Sequence, residues 1–556
     1  MATSMAVNTV PPLPADLFHL LSAELALRLD FATLHSCVVS SKYIASAGSI
    51  SALYRISLGS HSPSKVPGRD ISYAESDVAV MRWSILWREI ILSALDKTMH
   101  PYCRHLRELD LLDLSALLDR LDGANFRKVS EWFFSGDLAR FHHVMHTTRG
   151  SGATRLDFKQ ILFDVGDLII QRAPMLEAIS EPAGSDILSR ALPVWAPRLS
   201  HLQELDMWDC ITLEDEAVRD CLHTHCAKLC DLKIYVATGN KSDHHLAWFI
   251  SGMSHNVLRS FYNVSTLSIG AETCLALNSH GRSLKTLKLE LEEEGLLALG
   301  LVQTCTQLQT LHLVSSPSRP STDLKATQPD VYLDIVGWLK HCSDLTEVSI
   351  RGLVSAPDLL LPVLLNEKVK LTSLEVSGSG ASMSVVKDHR DFDKALGTQS
   401  DLQSLSLRVD PDSVTRDDVE ALLDSLCRLT NLRELHLCRI SDYFTNEHIK
   451  LLAQHLIRLE TLHIGSYGIT DAVWKALGCL KHLKYITFAG LTAFSADGIQ
   501  GFIERLGAGN SGLTLSIDMA DPDTMLSEES QDGVRAALAS KVDDPNMPEF
   551  GESDLD

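Results

Sequence analysis

The sequence predicts an α/β fold: a repeat solenoid with a curved parallel sheet inside and helices outside, preceded by a small all-α module. Three observations carry that expectation. An L-x-x-L-x-L pattern recurs eleven times between residues 202 and 488. Each copy is followed by apolar residues at helical spacing, and the first 55 residues carry helical patterns that do not share the repeat's period. At 556 residues the chain also exceeds what one core usually supports, roughly 250–300 residues, whereas stacked repeats bury each unit against its neighbours.

Residues 12–55 open with LPADLFHLLSAEL. Pro14 suits a first helical turn and Asp16 the positive end of its dipole. Leu17, Leu20, Leu21 and Leu25 fall on one apolar stripe. Asp30 is placed to cap a second short helix carrying Phe31, Leu34 and Val38. Ser40 or Ser41 is placed to cap a third, SKYIASAGSISALY. Three such helices make a marginal core alone, so a partner that helps to bury them is physically reasonable.

Residues 56–105 read as a linker and helical connector. HSPSKVPGRD (61–70) is loop-like by its Ser, Pro and charge, and WREIILSAL follows. The solenoid is expected over 106–520. Its first-position residues stand at 202, 229, 264, 284, 308, 345, 371, 402, 432, 459 and 483, beginning with LQELDM, LCDLKI and VSTLSI and ending with LRELHL, LETLHI and LKYITF. An earlier copy, LRELDL, starts at Leu106, and LEAIS at Leu176 reads as a degraded one. L-x-L at period two makes a short strand with its leucines on one side. EDEAVRDCLHTHC, EEGLLALGLVQTC and ITDAVWKALGCL supply the helices between strands. A second Ser-Pro loop, SSPSRPSTDLKATQPD (315–330), accounts for the long spacing from Leu308 to Leu345. Ser62 and Ser316 sit in Ser-Pro context, but both segments read first as plain loops. Residues 521–556 are expected to be a disordered acidic tail: after Lys541, VDDPNMPEFGESDLD has six acidic residues and no basic one.

Fifty basic residues against seventy-two acidic ones leave a formal charge of −22. That argues against non-specific binding to nucleic acid or an anionic membrane and suits protein partners. The first residues, MATSMAVNTVPP, lack the basic start and apolar core of a secretory signal. The uncharged run Gly295–Ser318 obeys the repeat and is not a membrane span. Twelve cysteines without such a signal imply reduced thiols in the cytosol or nucleus.

Little in the sequence suggests chemistry. CLHTHCAKLC (221–230) holds three cysteines and two histidines, yet a structural zinc usually takes paired C-x2–4-C knuckles. Here Cys226 has a repeat role and Cys221 lies on a helix, so a structural role is expected. His142 and His146 at i, i+4 could chelate from one helix face, but no glutamate lies between them and no third ligand follows, so a solvated or capping pair is expected. Phosphate-loop, nucleophile-elbow and dinucleotide motifs are missing from strand–turn–helix contexts. The chain is expected to be no enzyme and to hold no cofactor or metal.

Cys103, Cys226, Cys305 and Cys342 each stand three residues before a first-position leucine, where a small apolar side chain fits between helix and strand. CITLEDEAV (210–218) and GITDAVWKAL (468–477) add an [I/L]-x-D turn before a helix. With the repeat period, these features resemble the cysteine-containing subclass of leucine-rich repeats. The N-terminal module resembles the F-box: Leu13-Pro14, Leu17, Leu21, Leu25, Asp30-Phe31, Val39-Ser40 and Lys42 follow its pattern, with Leu53-Tyr54 closing, while Ile44 stands at a place usually aromatic. Together the two parts resemble the F-box/leucine-rich-repeat proteins, and the loops and the WREIILSAL connector are similar to fungal members. The resemblance implies an adaptor whose F-box docks the Skp-type subunit of a cullin–RING ubiquitin ligase while the repeats hold a protein substrate. The F-box contacts would come from Leu13, Pro14, Leu17, Leu21, Leu25, Phe31 and Val39, with Lys42 at the polar rim.

For the substrate, the third, fifth and seventh positions of each unit point away from the leucines onto the open sheet face. These are Glu204, Asp206 and Trp208 in the unit at Leu202, and Asp231, Lys233 and Tyr235 in the unit at Leu229. With strands about 4.8 Å apart, Asp206 is expected beside Lys233, and Trp208 beside Tyr235 as two exposed aromatics. His436 and His463 share the fifth position of consecutive units and would make a contact sensitive to pH near 6.5.

Overall fold

The computed structural model describes residues 14–28, 30–53, 73–146, 154–236, 241–264, 269–315, 323–377, 389–408, 415–438, 440–520 and 525–541. It divides into two compact units, Met1–Ile234 and Tyr235–Asp556, so the boundary falls inside the stretch read as one solenoid.

In the first unit, helix α1 (Ala15–Leu27) follows Pro14, and α2 (Phe31–Ser40) is capped by Asp30, whose carboxylate accepts from Thr33 N at 3.0 Å. Ser41 caps the next turn through Tyr43 N, but the third helix is broken: Lys42–Ile44, a π turn at Ala45–Ser49, then Ile50–Leu53. The break lies at Gly48, with φ of +145°, where a Cβ would come 2.9 Å from His19 Cα. Glycine is needed there both for the backbone conformation and for the approach of α1. The module's core is small: Ala26, Leu34 and Ala52, with Leu25 packed against them and a buried Ser22–Ser49 hydroxyl contact of 3.1 Å. The leucine stripe is divided between core and surface. Leu25 packs inward, whereas Leu17, Leu20 and Leu21 stand in solvent, because the small residues Ser22 and Ala26 form the face along which the helices meet.

The connector is a long helix, α3 (Tyr73–Ala94), packed into this unit. Its buried Trp83 and Trp87 donate their indole N–H groups to one carboxylate oxygen of Asp113, at 2.8 and 2.7 Å. Asp113 sits in the first turn of α4 (Leu111–Asp122), which Asp110 caps. The unit's parallel sheet runs β1 (Glu108–Asp110), β4 (Ala178–Ser180), β5 (Glu204–Asp209) and β6 (Asp231–Val236), with an antiparallel pair, β2 (Val144–His146) and β3 (Thr154–Leu156), outside it. Leu109, Ile179 and Leu205 are in register and buried. The degraded copy at Leu176 is therefore a true repeat strand. His142 and His146 do not share a helix: His142 follows a 3-10 segment (Gly136–Phe141), and His146 ends β2.

The second unit carries strands β7 (Ser260–Asn263), β8 (Thr286–Leu291), β9 (Thr310–Ser315), β10 (Glu347–Arg351), β11 (Ser373–Ser377), β12 (Ser404–Arg408), β13 (Glu434–Cys438) and β14 (Thr461–Ile464) in consecutive parallel order. Then come β15 (Ile469–Thr470), β16 (Tyr485–Ala493) and β17 (Thr514–Ala520); β16 pairs with β14, β15 and β17. Parallel neighbours joined through helical crossovers make each unit an α/β solenoid. Two expectations need correction. The unit placed at Val264 begins instead at Leu258, with buried Phe261 and Asn263 in the leucine positions. In the segment read as a disordered tail from 521, Glu528–Lys541 is a helix with Val534 and Leu538 buried. Within the second Ser-Pro segment, Leu324–Thr327 and Pro329–Leu339 are helical. The stretch 61–70, Ser62, Ser316 and residues after Lys541 lie outside the described residues.

Candidate interaction surfaces

The N-terminal module presents apolar side chains to solvent. Leu17 is 49% exposed, Leu20 64%, Leu21 52%, Val39 68% and Tyr43 42%. Tyr43 meets Phe18 edge-on at 5.9 Å between ring centres, which ties the third helical segment to α1. Pro14 and Lys42 are exposed and Leu25 half-buried. Leu13 and Tyr54 lie outside the described residues, as do the side chains of Phe31 and Leu53.

On the open sheet face of the first unit, register aligns Glu108 with Glu204, and Asp110 with Asp206. Lys233 reaches Asp206 with an Nζ–Oδ2 distance of 3.2 Å, as the repeat frame predicts. Asp206 is buried rather than exposed, at 8%. Crowding of acids in a half-covered setting raises their proton affinity. Burial, then Asp110 and Glu204, pushes Glu108 up to about 7, and burial first pushes Asp110 up to about 6. Glu204 is raised by burial and by Asp231 and Asp206, with Lys233 opposing. Trp208 is half-buried, and its backbone N–H donates to Glu181 Oε2 at 2.9 Å. Tyr235, at the start of the second unit, is also half-buried, so neither aromatic is the freely exposed anchor expected. Glu181 was missed by the sequence reading. It is 2% exposed, accepts from Leu188 N and Trp208 N, and burial pushes it up to about 7. The surrounding SEPAGSD reads only as a loop.

In the second unit, His436 and His463 face each other in register, with rings stacked at 5.9 Å. Burial, and then His436, lowers the pKa of His463. Elsewhere on this face His312 contacts Glu347 at 2.9 Å, and Ser349 and Arg351 both donate to Glu375, at 2.8 and 2.7 Å.

The repeat cysteines lie between helix and strand, as their spacing predicts. Cys103, Cys226, Cys305 and Cys342 are buried, and burial pushes each thiol up to about 12. Cys305 donates to Leu277 O at 3.4 Å, and Cys342 to Trp338 O at 3.6 Å. Thiols held this way are poor nucleophiles near neutral pH. Among the described residues, no group of three or more His, Cys, Asp or Glu is arranged to hold a metal ion, and no helix is long and apolar enough to cross a membrane.

No family model matches the chain, and no curated protein matches it in sequence. Among solved structures it is similar to the Rad7 and Elc1 complex of yeast, with a TM-score of 0.39 and 12% identity, over 81% of this chain and 92% of that one. It is also similar to the TLR13–ssRNA13 complex, with a TM-score of 0.28 and 11% identity, over 65% and 59% of the two chains.

Proposed function

We propose that the chain is a substrate-recognition adaptor of a cullin–RING ubiquitin ligase, acting in the cytoplasm or nucleus. Residues 12–55 dock a Skp-type subunit, and the open faces of the repeat sheet hold a protein target. The chain then needs no chemistry or cofactor of its own. It contributes proximity, holding the target where a ubiquitin-conjugating enzyme can reach its lysines.

The observation that carries this reading is the exposure of Leu17, Leu20, Leu21 and Val39 in a module whose own core is little more than Ala26, Leu34 and Ala52. Apolar side chains grouped on one small module are what a partner would cover. The main contacts of α1 and α2 run to each other and to the broken third helix, residues 42–53, which is compatible with that use.

A second reading, an interaction scaffold with no ligase role, is favoured by one contact: Ile50–Leu53 meets the 3-10 turn Tyr102–His105 beneath β1, as a solenoid cap would. The test is affinity capture from cells with the full chain and with Leu17→Asp/Leu21→Asp/Val39→Asp, followed by mass spectrometry. The adaptor reading expects the Skp-type subunit and cullin with the wild type and their loss in the variant, at unchanged circular dichroism. If soluble wild-type chain never captures that subunit, the adaptor reading fails and the scaffold reading stands.

A further inference from the structure

A shallow cavity of about 490 Å³ lies in the second unit, at the edge where the chain turns from helix into strand. Its charged and amide lining is Lys370, Asp401, Gln403, Asn431, Arg433 and Arg458, each one residue before or after a first-position leucine. Lys370, Arg433 and Arg458 are exposed, and Lys370 makes no ion pair among the described residues. Arg433 holds Glu460 at 3.1 Å, and Arg458 donates to Asn431 Oδ1 at 2.8 Å, so two of the cations are fixed in place. The same edge continues past β14 through Lys484, 3.8 Å from Glu460, and the exposed Lys481. Five cations against Asp401 and Glu460 form a basic path on a chain of net charge −22.

The described chain ends beside this path. Lys541 donates to Glu504 O at 3.4 Å, near the end of the helix Ala496–Arg505. The segment after that helix borders the basic edge: Asn510 donates to Leu480 O and Leu483 O, both at 2.9 Å, and a Cβ at Gly509 would collide with the Lys481 carbonyl. The sequence after Lys541 is VDDPNMPEFGESDLD, with six acidic residues and no basic one. Five strand steps separate β17 from β11, about 24 Å at the usual spacing. Fifteen residues reach up to about 50 Å when extended.

We propose that this groove is the docking site of the chain's own acidic segment 542–556, which occupies it until a competing acidic surface displaces it. Charge complementarity, exit point and reach all favour this occupant, and the proposal does not depend on the ligase reading. Tethering raises the effective concentration of such a segment to the millimolar range, so weak ionic contacts suffice.

Carbodiimide cross-linking of the full chain at low salt, read by peptide mass spectrometry, tests it. The expected products join carboxylates of 542–556 to Lys370, Lys481 or Lys484, and their yield falls at least about fivefold in 0.5 M salt, where screening shortens to a few ångströms. In Arg433→Glu/Arg458→Glu, which keeps all three acceptor lysines, the yield to Lys370 falls to a similar extent. Cross-links made mainly to other lysines, or a yield indifferent to both salt and charge reversal, overturn the proposal. So does an equimolar mixture of 14N- and 15N-labelled chains in which about half of the products are mixed, the share that pairing between chains produces, which would make a second copy the occupant.

Discussion

Replacing Asp113 with alanine should loosen the connector helix α3 from the first repeats. One carboxylate oxygen, on a residue only 4% exposed, accepts both indole N–H groups, from Trp83 at 2.8 Å and Trp87 at 2.7 Å. Hydrogen bonds to a charged acceptor contribute roughly 1.5–3 kcal/mol each, and losing the acceptor strands two buried donors. Burial of the carboxylate opposes this: it is the main reason that the Asp113 pKa is raised, so the variant also recovers desolvation cost. The net loss should be on the order of 3 kcal/mol. Backbone capping is little affected, because Asp110 accepts from the main-chain N–H of residue 113, which alanine keeps. Hydrogen exchange of peptides covering Tyr73–Ala94 and Leu111–Asp122 reads the effect directly. Exchange through subglobal opening should accelerate about 100-fold, at one decade per 1.4 kcal/mol, while peptides of the second unit keep their rates. Adding Trp87→Phe to Asp113→Ala should return part of the loss, since it removes one stranded donor. If exchange in α3 changes by less than about threefold, the two indoles do not fasten the connector and the reasoning is wrong.

Thiol labelling under native conditions should be fast at the exposed Cys479 and slow at Cys103, Cys226, Cys305 and Cys342 until the chain is denatured, with no stoichiometric zinc in purified protein; one equivalent of zinc whose removal unfolds 200–235 would refute this. Because burial raises Glu181 and Glu108 to about 7, the folded first unit binds more protons than the unfolded chain between roughly pH 4.5 and 7. Its urea midpoint should therefore rise on going from pH 8 to 6, by an amount on the order of 1–3 kcal/mol in stability, and Glu181→Gln should flatten the rise; a midpoint that falls over that range contradicts the assignment. His463 has the opposite sign: its lowered pKa means that its own contribution to the second unit's stability is lost as pH drops through about 6.5, against the gain from Asp393, which burial pushes up to about 7, so His463→Gln should be more stable at pH 5.5 relative to pH 8 than wild type is in the same titration. Trp208→Ala/Tyr235→Ala should cost a captured partner on the order of 2 kcal/mol of affinity by titration if either aromatic anchors the target, and normal capture would move the site elsewhere.

How far the fold could be read in advance follows from where its information lies. In the well-formed repeats the strand begins two residues after the first-position leucine: Leu202 and Glu204, Leu308 and Thr310, Leu402 and Ser404, Leu432 and Glu434. That regularity is local, since period two and one repeated residue type define it, and it sufficed to place Lys233 beside Asp206 and His436 against His463. It failed where a unit meets the same packing demand with other side chains. At Leu258 the core positions are Phe261 and Asn263, and the leucine-like match at Val264 drew the register six residues late. The error was visible in the spacings alone: 229, 264 and 284 are uneven, whereas 229, 258 and 284 give 29 and 26. Features fixed by contacts distant in sequence left no comparable trace. The carboxylate of Asp113 is held by indoles 26 and 30 residues away, and Glu181 joins Leu188 to Trp208 from inside what reads as a loop. The N-terminal leucines carry the same lesson in reverse. A helical stripe signals that apolar residues share a face, but not whether the chain itself covers that face. Here Ser22 and Ala26 take the inner side and leave Leu17 and Leu21 outside. On the adaptor reading proposed above, the stripe is a surface for a partner rather than part of a core, and the triple aspartate variant separates those two meanings, since on that reading it should spare folding and abolish capture.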